Sequence, residues 1–502
     1  MIFRAHKKVI FFHLLLNFIF ALFITCSSYY HIPLNGGKDV FMYFMHLCII
    51  QSTFAGVLYI ISLSNIVFKT TFSILFLVLG FISFWVYSID ISVSPALINA
   101  TLTTKSYIIK DLISIQLVLY ILVLIGVLFL IFRFYNRLEK RKGYKVFVPT
   151  SIALICLFFW VDQKRLQSFS SKLPYSLFYS AKEYWEEEEL PLKNIKNVNF
   201  KEPKEDIKVV LVIGESLRAD HLQLNGYIRE TTPKLAKRKN VVSFNNVFTN
   251  KTNTALSIPN IVTNQSIYGS DRDSIISLFD MMDSRNILTK WIGNQLLESS
   301  YKQIVETNNE VLIIDELRSF WSFNKKKDLS LVSELEEQIS KDKKGLFSLH
   351  MIGSHWWYED KYTDEFRRFK PVVDSKYIPS MTKNQMINSY DNTILYLDNF
   401  LDQTITVLEQ QQEPSILIYI SDHGEALGED GKWLHSHYKS LTNPGMIVWY
   451  SDSFRKKYKE KTNILTEKKN ESITTDVIYH SILDIFNIKE YNGQESIFYC
   501  DK

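Results

Sequence analysis

The sequence predicts two different units in one chain: a bundle of five transmembrane helices, followed by an α/β domain with a mostly parallel central sheet. The first observation is segregation. Apolar runs dominate residues 1–161, and most of the charge lies in residues 162–502. The second is size and composition: 502 residues exceed one ordinary domain, and 47% hydrophobic with 22% charged residues fits a part-membrane, part-soluble chain. The third is the alternation of strand-like and helix-like runs after residue 207, the order that builds a parallel sheet flanked by helices.

The apolar runs fall at 9–26, 41–63, 71–89, 112–132 and 146–161. The middle three reach the ~20 residues with which a helix crosses a ~30 Å hydrocarbon core. The first contains His13 and Asn17 and the last contains Pro149. No small-residue cleavage pattern follows the first, so it reads as a span rather than a removed leader. Basic residues set the orientation. Arg4, Lys7 and Lys8 precede the first run, Lys69 lies in the second connection, and Arg133, Arg137, Lys140, Arg141, Lys142 and Lys145 separate the fourth and fifth. With five spans these share one side, which places the N-terminus in the cytoplasm and everything after residue 161 outside it. Lys164 and Arg165 oppose this, but by fewer charges. The net charge of +4 is explained by these loops and implies no nucleic-acid surface.

Cys26, Cys48 and Cys156 lie in or beside the spans and Cys500 lies at the tail. The exported part therefore has no internal disulfide framework and must be held by its own core. Residues 162–206 carry Tyr175, Phe178, Tyr179 and Tyr184 before a four-glutamate run, which suits an interfacial helix and linker. In 207–502 the segments "IKVVLVIGE", "VVSFNNVF", "GLFSLHMIGSH", "SILIYISDHG" and "GMIVWYSD" read as strands, and "KNQMINSYDNTILYLDNFLDQTITVLEQ" as a long amphipathic helix.

Three of these strands end on ionisable side chains: Glu215, the pair His350 and His355, and the pair Asp422 and His423. Ligands gather at the carboxyl ends of parallel strands. Glutamate and aspartate oxygens with a histidine nitrogen suit a metal, and zinc fits that donor set best outside the cytoplasm. A loop then returns His435 and His437. A nucleophile for such a site is a hydroxyl at a helix N-terminus, and "TNKTNTALSIPN" offers Thr249, Thr252, Thr254 and Ser257, among which spacing does not choose.

The stretches "VLVIGESLRADHLQLNGYIRETTP", "TNTALSIPN", "LHMIGSHWWY", "NSYDNTILYLDNFLDQTI" and "SDHGEALGEDGKWLH" resemble, in order and approximate spacing, those of the phosphoethanolamine transferases, membrane enzymes of the alkaline phosphatase superfamily. The resemblance covers nearly the whole chain. It implies a zinc site of Glu215, Thr254, Asp422 and His423, with one tight ion and room for a second, weaker one. Thr254, five residues before Pro259, matches the nucleophile. His350 and His355 match the H-x-x-G-S-H histidines and His435 the L-H histidine, with roles in substrate binding and, for His355 and His435, in catalysis. Asn99 and Thr103 in "INATLTTK" match a spacing used for the lipid head group, although the acidic residue that follows in relatives is missing. His437 has no counterpart.

The implied activity is transfer of phosphoethanolamine from phosphatidylethanolamine to an envelope acceptor, lipid A, lipopolysaccharide core or another glycan, through phosphothreonine. The enzyme would be a monomer of the bacterial inner membrane with its catalytic domain, 207–502, in the periplasm. Asn250 and Asn260 stand where better-known members place a disulfide around the nucleophile. A phosphoglycerol transferase on the same scaffold and a non-catalytic lipid-binding protein are the alternatives. Sulfatase chemistry is disfavoured, because no C-x-P-x-R or S-x-P-x-R signature surrounds Pro259.

Overall fold

The structure is a computed structural model that describes residues 6–95, 97–98, 101, 114–139, 142–164, 168–186, 190–193, 195, 206–269, 275–317, 325–342, 344–376, 378–435, 438–488 and 495–499. Contacts divide the chain into a helical unit running to residue 187 and a second unit covering most of the remainder.

The helical unit contains the five expected long apolar helices. They are α1 (Lys7–Phe20), α2 (Gly37–Ser62), α3 (Asn65–Ile89), α4 (Ile115–Tyr135) and α5 (Tyr144–Lys164). The last turn of α1 widens into a π-helical turn over Ala21–Thr25. Serines start two of them: Ser64 accepts from the Val67 amide and Ser114 from the Leu117 amide, each satisfying a donor that the first helical turn leaves open. Inside the bundle Phe20, Phe54, Phe68, Phe72 and Phe76 are buried, while Phe11, Phe18, Leu122 and Phe129 face outward, as lipid-facing side chains do. Pro149 lies in the second turn of α5 without ending it.

The aromatic segment expected at the interface forms α6 (Tyr175–Trp185). Tyr175 stacks on Phe158 of α5 with ring centres 3.9 Å apart, whereas Phe178 and Trp185 are exposed. The described residues of this segment up to 186 cluster with the helical unit.

Among the described residues the main sheet of the second unit has seven strands: β1 (Lys208–Gly214), β2 (Val241–Phe244), β3 (Leu288–Gly293), β4 (Glu310–Ile313), β5 (Gly345–His350), β6 (Ser415–Ser421) and β7 (Met446–Tyr450). Their order across the sheet is β2-β7-β6-β1-β5-β3-β4. β1 pairs in parallel with β5 and β6, as β3 does with β4 and β5, and β7 alone runs against its neighbours β2 and β6. Side chains alternate as a pleated strand requires. Val209, Leu211 and Ile213 of β1 and Ile416, Ile418 and Ile420 of β6 enter one core cluster with Ile258, Ile261, Tyr301 and Ile482. Those four come from α7 (Thr254–Val262), α8 (Ser299–Val305) and α10 (Val477–Ile485). The long helix α9 (Lys383–Glu409) packs on β6 and begins with a capping box of Thr382 and Gln385. β3 and β4, which extend the sheet beyond β5, have no counterpart among the expected strands.

Candidate active site

β1 and β6 are the central pair, in register with Gly214 opposite Ser421, so Glu215 and Asp422 emerge side by side at their carboxyl ends. Gly214 is required by close packing: a Cβ there would fall 2.1 Å from the Tyr419 hydroxyl. Asp422 is held by two amides, Ser216 at 3.0 Å and His423 at 2.8 Å, both donating to Oδ1. Ser216 reaches this geometry with φ of 58°, a left-handed conformation rarely adopted by residues other than glycine. The Tyr390 hydroxyl of α9 locks the same turn, donating to the Ser216 carbonyl at 2.7 Å and accepting from the Arg218 amide at 2.8 Å.

Thr254 opens α7, and its Oγ1 lies 2.8 Å from Glu215 Oε2 and 2.8 Å from Asp422 Oδ2. A hydroxyl has one proton and can donate to only one of them, so the second close carboxylate calls for another positive charge. The capping role belongs to its neighbour Asn253, whose side chain accepts from the Leu256 amide at 3.0 Å. Of the other hydroxyls, Thr249 is buried and accepts from the Lys251 amide at 3.1 Å, and Ser257 Oγ is buried with no partner among the described residues. The structure therefore brings Thr254, of the four, to the carboxylates.

His423 completes the cluster and is fully buried. Its Nδ1 lies 2.7 Å from the Gly424 carbonyl and must donate to it. Nε2 then faces Glu215 Oε1 at 3.4 Å and Asp422 Oδ2 at 3.3 Å, without a hydrogen bond among the described residues. A neutral ring in that orientation points a lone pair at two carboxylates, which is stable only with a cation between them or a proton on Nε2. The titration behaviour agrees. Burial would lower His423, but the charges of Asp422 and Glu215 outweigh it and raise the ring to about 10. Burial, with Glu215 adding to it, pushes Asp422 up to about 7. Burial alone would also raise Glu215, yet the close approach and charge of His423, with the hydrogen bond from Thr254 adding to it, take it below the usual carboxylate range. Two carboxylates, a hydroxyl and an imidazole nitrogen are a donor set that fits zinc, so these residues pass the test for a metal centre. Donor atoms of Glu215, His423 and His435 also lie within 4.8 Å of one another.

The remaining histidines separate by environment. His435 is exposed, its ring edge-on to His423 with centres 4.8 Å apart. His355 follows Gly353 and Ser354 in a loop pressed against β1. Ser354 donates to the Glu215 carbonyl at 3.0 Å, and a Cβ on Gly353, with φ of +54°, would fall 2.8 Å from the Glu215 nitrogen. Burial takes His355 down to about 4, and its Nδ1 lies 2.5 Å from the Trp356 carbonyl. His350 is instead packed among rings, 5.3 Å from Trp291 and 6.0 Å from Tyr301, and burial lowers it to about 4. Its Nδ1 is buried with no hydrogen bond among the described residues, and the charge of Glu215 reaches the ring. Asn99, Thr103 and His437 lie outside the described residues.

Two features escaped the sequence reading. Asp328 anchors the His355 loop, accepting from the Ile352 and Gly353 amides at 3.0 and 2.9 Å. Nothing in its local sequence marks it. Asn250 and Asn260 donate to the Ile267 and Gln265 carbonyls at 2.7 and 3.3 Å. Hydrogen bonds to one turn thus tie the nucleophile segment where the resemblance leads one to expect a disulfide.

A chain with this sheet, an acidic pair at its central strand ends and a helix-terminal hydroxyl between them is of the alkaline-phosphatase-like class. The sulfatase family model matches residues 208–488, and the chain belongs to that family. It is 30% identical over 308 residues to phosphoethanolamine transferase EptA of Escherichia coli K12, covering 57% of this chain and 55% of that protein. The chain thus spans about half the length of the curated relatives it matches. The soluble domain of lipooligosaccharide phosphoethanolamine transferase A from Neisseria meningitidis superposes with a TM-score of 0.56 at 29% identity, over 61% of this chain and 97% of that one. The integral membrane form of that protein matches with a TM-score of 0.55 at 24% identity over 97% of both chains, a likeness of fold that includes the helical unit.

Proposed function

We propose that this protein transfers phosphoethanolamine from phosphatidylethanolamine to a lipid or glycan of the cell envelope through a phosphothreonine on Thr254. The observation that carries this reading is the Thr254 hydroxyl, 2.8 Å from both Glu215 and Asp422 at the start of a helix. In the first half, Thr254 Oγ1 attacks phosphorus, the bond from phosphorus to the glycerol oxygen breaks, and diacylglycerol leaves with a proton. In the second, an acceptor hydroxyl attacks phosphothreonine, loses its proton and frees Thr254. A zinc ion held by Glu215, Thr254, Asp422 and His423 would lower the hydroxyl pKa and offset charge on the phosphoryl oxygens. His355 and His435, beside this cluster, are suited to hold phosphoryl oxygens and to pass the proton to and from the glycerol oxygen. The start of α7 adds a positive dipole end beside the phosphoryl group.

The five helices would keep the domain at the membrane that supplies the donor, with the N-terminus cytoplasmic and the domain periplasmic. Intact-protein mass spectrometry after incubation with phosphatidylethanolamine tests the reading. A phosphoethanolamine adduct on Thr254 with release of diacylglycerol is expected, and its absence from active wild-type preparations would overturn it. A phosphoglycerol adduct would instead indicate the other head group.

A further inference from the structure

Lys361 lies six residues beyond His355, just after the turn Tyr358–Asp360. It is 7% exposed, yet its ammonium makes no hydrogen bond or ion pair among the described residues. Other lysines buried to the same degree are all partnered: Lys208 with Glu413 at 3.1 Å, Lys290 with Glu310 at 3.0 Å, Lys325 with the Asp315 carbonyl at 3.2 Å, and Lys376 over the Trp357 ring at 4.7 Å. The acidic groups whose charge reaches Lys361 are Asp360, Asp328 and Glu215, and Lys327 opposes them. Each of those carboxylates is already engaged. Asp360 pairs with Lys327 at 3.0 Å, Asp328 accepts from Asn294, Ile352 and Gly353, and Glu215 accepts from Ser216 and Thr254. His355 feels the charge of Lys361 as well, and the segment that carries Lys361 is tied to the His355 loop through the neighbours Lys327, which pairs with Asp360, and Asp328, which holds Gly353.

With its stem buried and its ammonium reaching solvent without a protein partner, Lys361 offers a positive charge that a phosphate ester handled at this site can take up. We propose that Lys361 is a substrate-binding residue whose ammonium takes a phosphate oxygen, either of the donor phosphodiester or of a phosphate on the acceptor. This rests on the phosphoryl-transfer reading above. A charge-assisted contact of this kind is worth about tenfold or more in binding.

The test uses the full-length enzyme in detergent with the variants Lys361→Met and Lys361→Arg. Lys361→Met is expected to raise KM about tenfold or more, with an unfolding midpoint close to wild type because the ammonium makes no contact that holds the fold, and Lys361→Arg is expected to recover most of the loss. Slowed phosphothreonine formation from phosphatidylethanolamine assigns the anion to the donor. Normal formation with slowed transfer to a phosphorylated glycolipid, but not to its dephosphorylated form, assigns it to the acceptor. Lys361→Met with both half-reactions intact and a lowered midpoint makes the residue a structural counter-ion and overturns the proposal. If wild type forms no phosphothreonine, the parent reading fails. Inorganic phosphate binding by calorimetry then decides Lys361 on its own: weaker binding by Lys361→Met supports it and equal binding rejects it.

Discussion

Thr254 and Asn253 are adjacent yet separable. Asn253 makes the helix cap and Thr254 meets the carboxylates, so their losses should differ in kind. Asn253→Ala is expected to cost ~1 kcal/mol of stability and keep the covalent adduct. Thr254→Ala is expected to fold and insert normally while losing adduct and transfer together, as read by mass spectrometry and thermal unfolding. A phosphorylated Thr254→Ala protein would move the nucleophile to another hydroxyl. His423 carries a second prediction. Without metal its ring holds a proton up to about pH 10, and zinc must displace that proton. Zinc affinity should therefore fall as pH drops below that value. Proton release, measured by calorimetry in buffers of different ionisation enthalpy, should be about one per zinc near pH 8. It should grow toward pH 6, where Asp422, raised to about 7, is also protonated. Zinc binding with no proton release would contradict the geometry at Nε2.

At the scale of elements, the site depends on a loop threaded against a strand. Gly353 has φ of +54° and backbone atoms of Glu215 at 2.8 and 2.9 Å from where a Cβ would stand, so no side chain can move out of the way. Gly353→Ala should cost about 2 kcal/mol or more and reduce activity beyond what the remaining folded fraction explains, because His355 rides on that loop. An unchanged unfolding midpoint would show that the loop yields freely. β1, β5 and β6 were legible because their apolar runs end abruptly in ionisable residues. β3, "LTKWIG", and β4, "EVLI", were not, being short, with a lysine within one and exposed residues along the other. Their pairing with β5 and with each other makes them strands.

For the whole molecule, the two units follow from where water and lipid are tolerated. Five apolar helices and an α/β domain with its own core need no cross-link, and Asn250 and Asn260 secure the nucleophile segment by hydrogen bonds of the ~1 kcal/mol class. Export in a strain unable to form disulfides should leave yield and activity unchanged. A loss that persists after Cys500→Ser would point to an indirect dependence on that pathway. The basic loop between α4 and α5 predicts that a thiol label at Gly143→Cys reacts from the cytoplasmic side, and labelling from the periplasm would invert the topology.

What the sequence determined by itself is what depends on neighbours along the chain: the five spans, the strands that stop at Glu215 and Asp422, the missing disulfides, and a small set of candidate hydroxyls. Hydropathy and period are local properties, so they can be read without a fold. The tertiary structure alone decided which hydroxyl meets two carboxylates, that His350 packs against the rings of Trp291 and Tyr301, and that Asp328 holds the His355 loop. Those outcomes are set by distances between residues far apart in sequence: Thr254 and Asp422 are 168 positions apart and share a hydrogen bond. Folding the sheet brings them together, because adjacent parallel strands end at one edge whatever length of chain connects them.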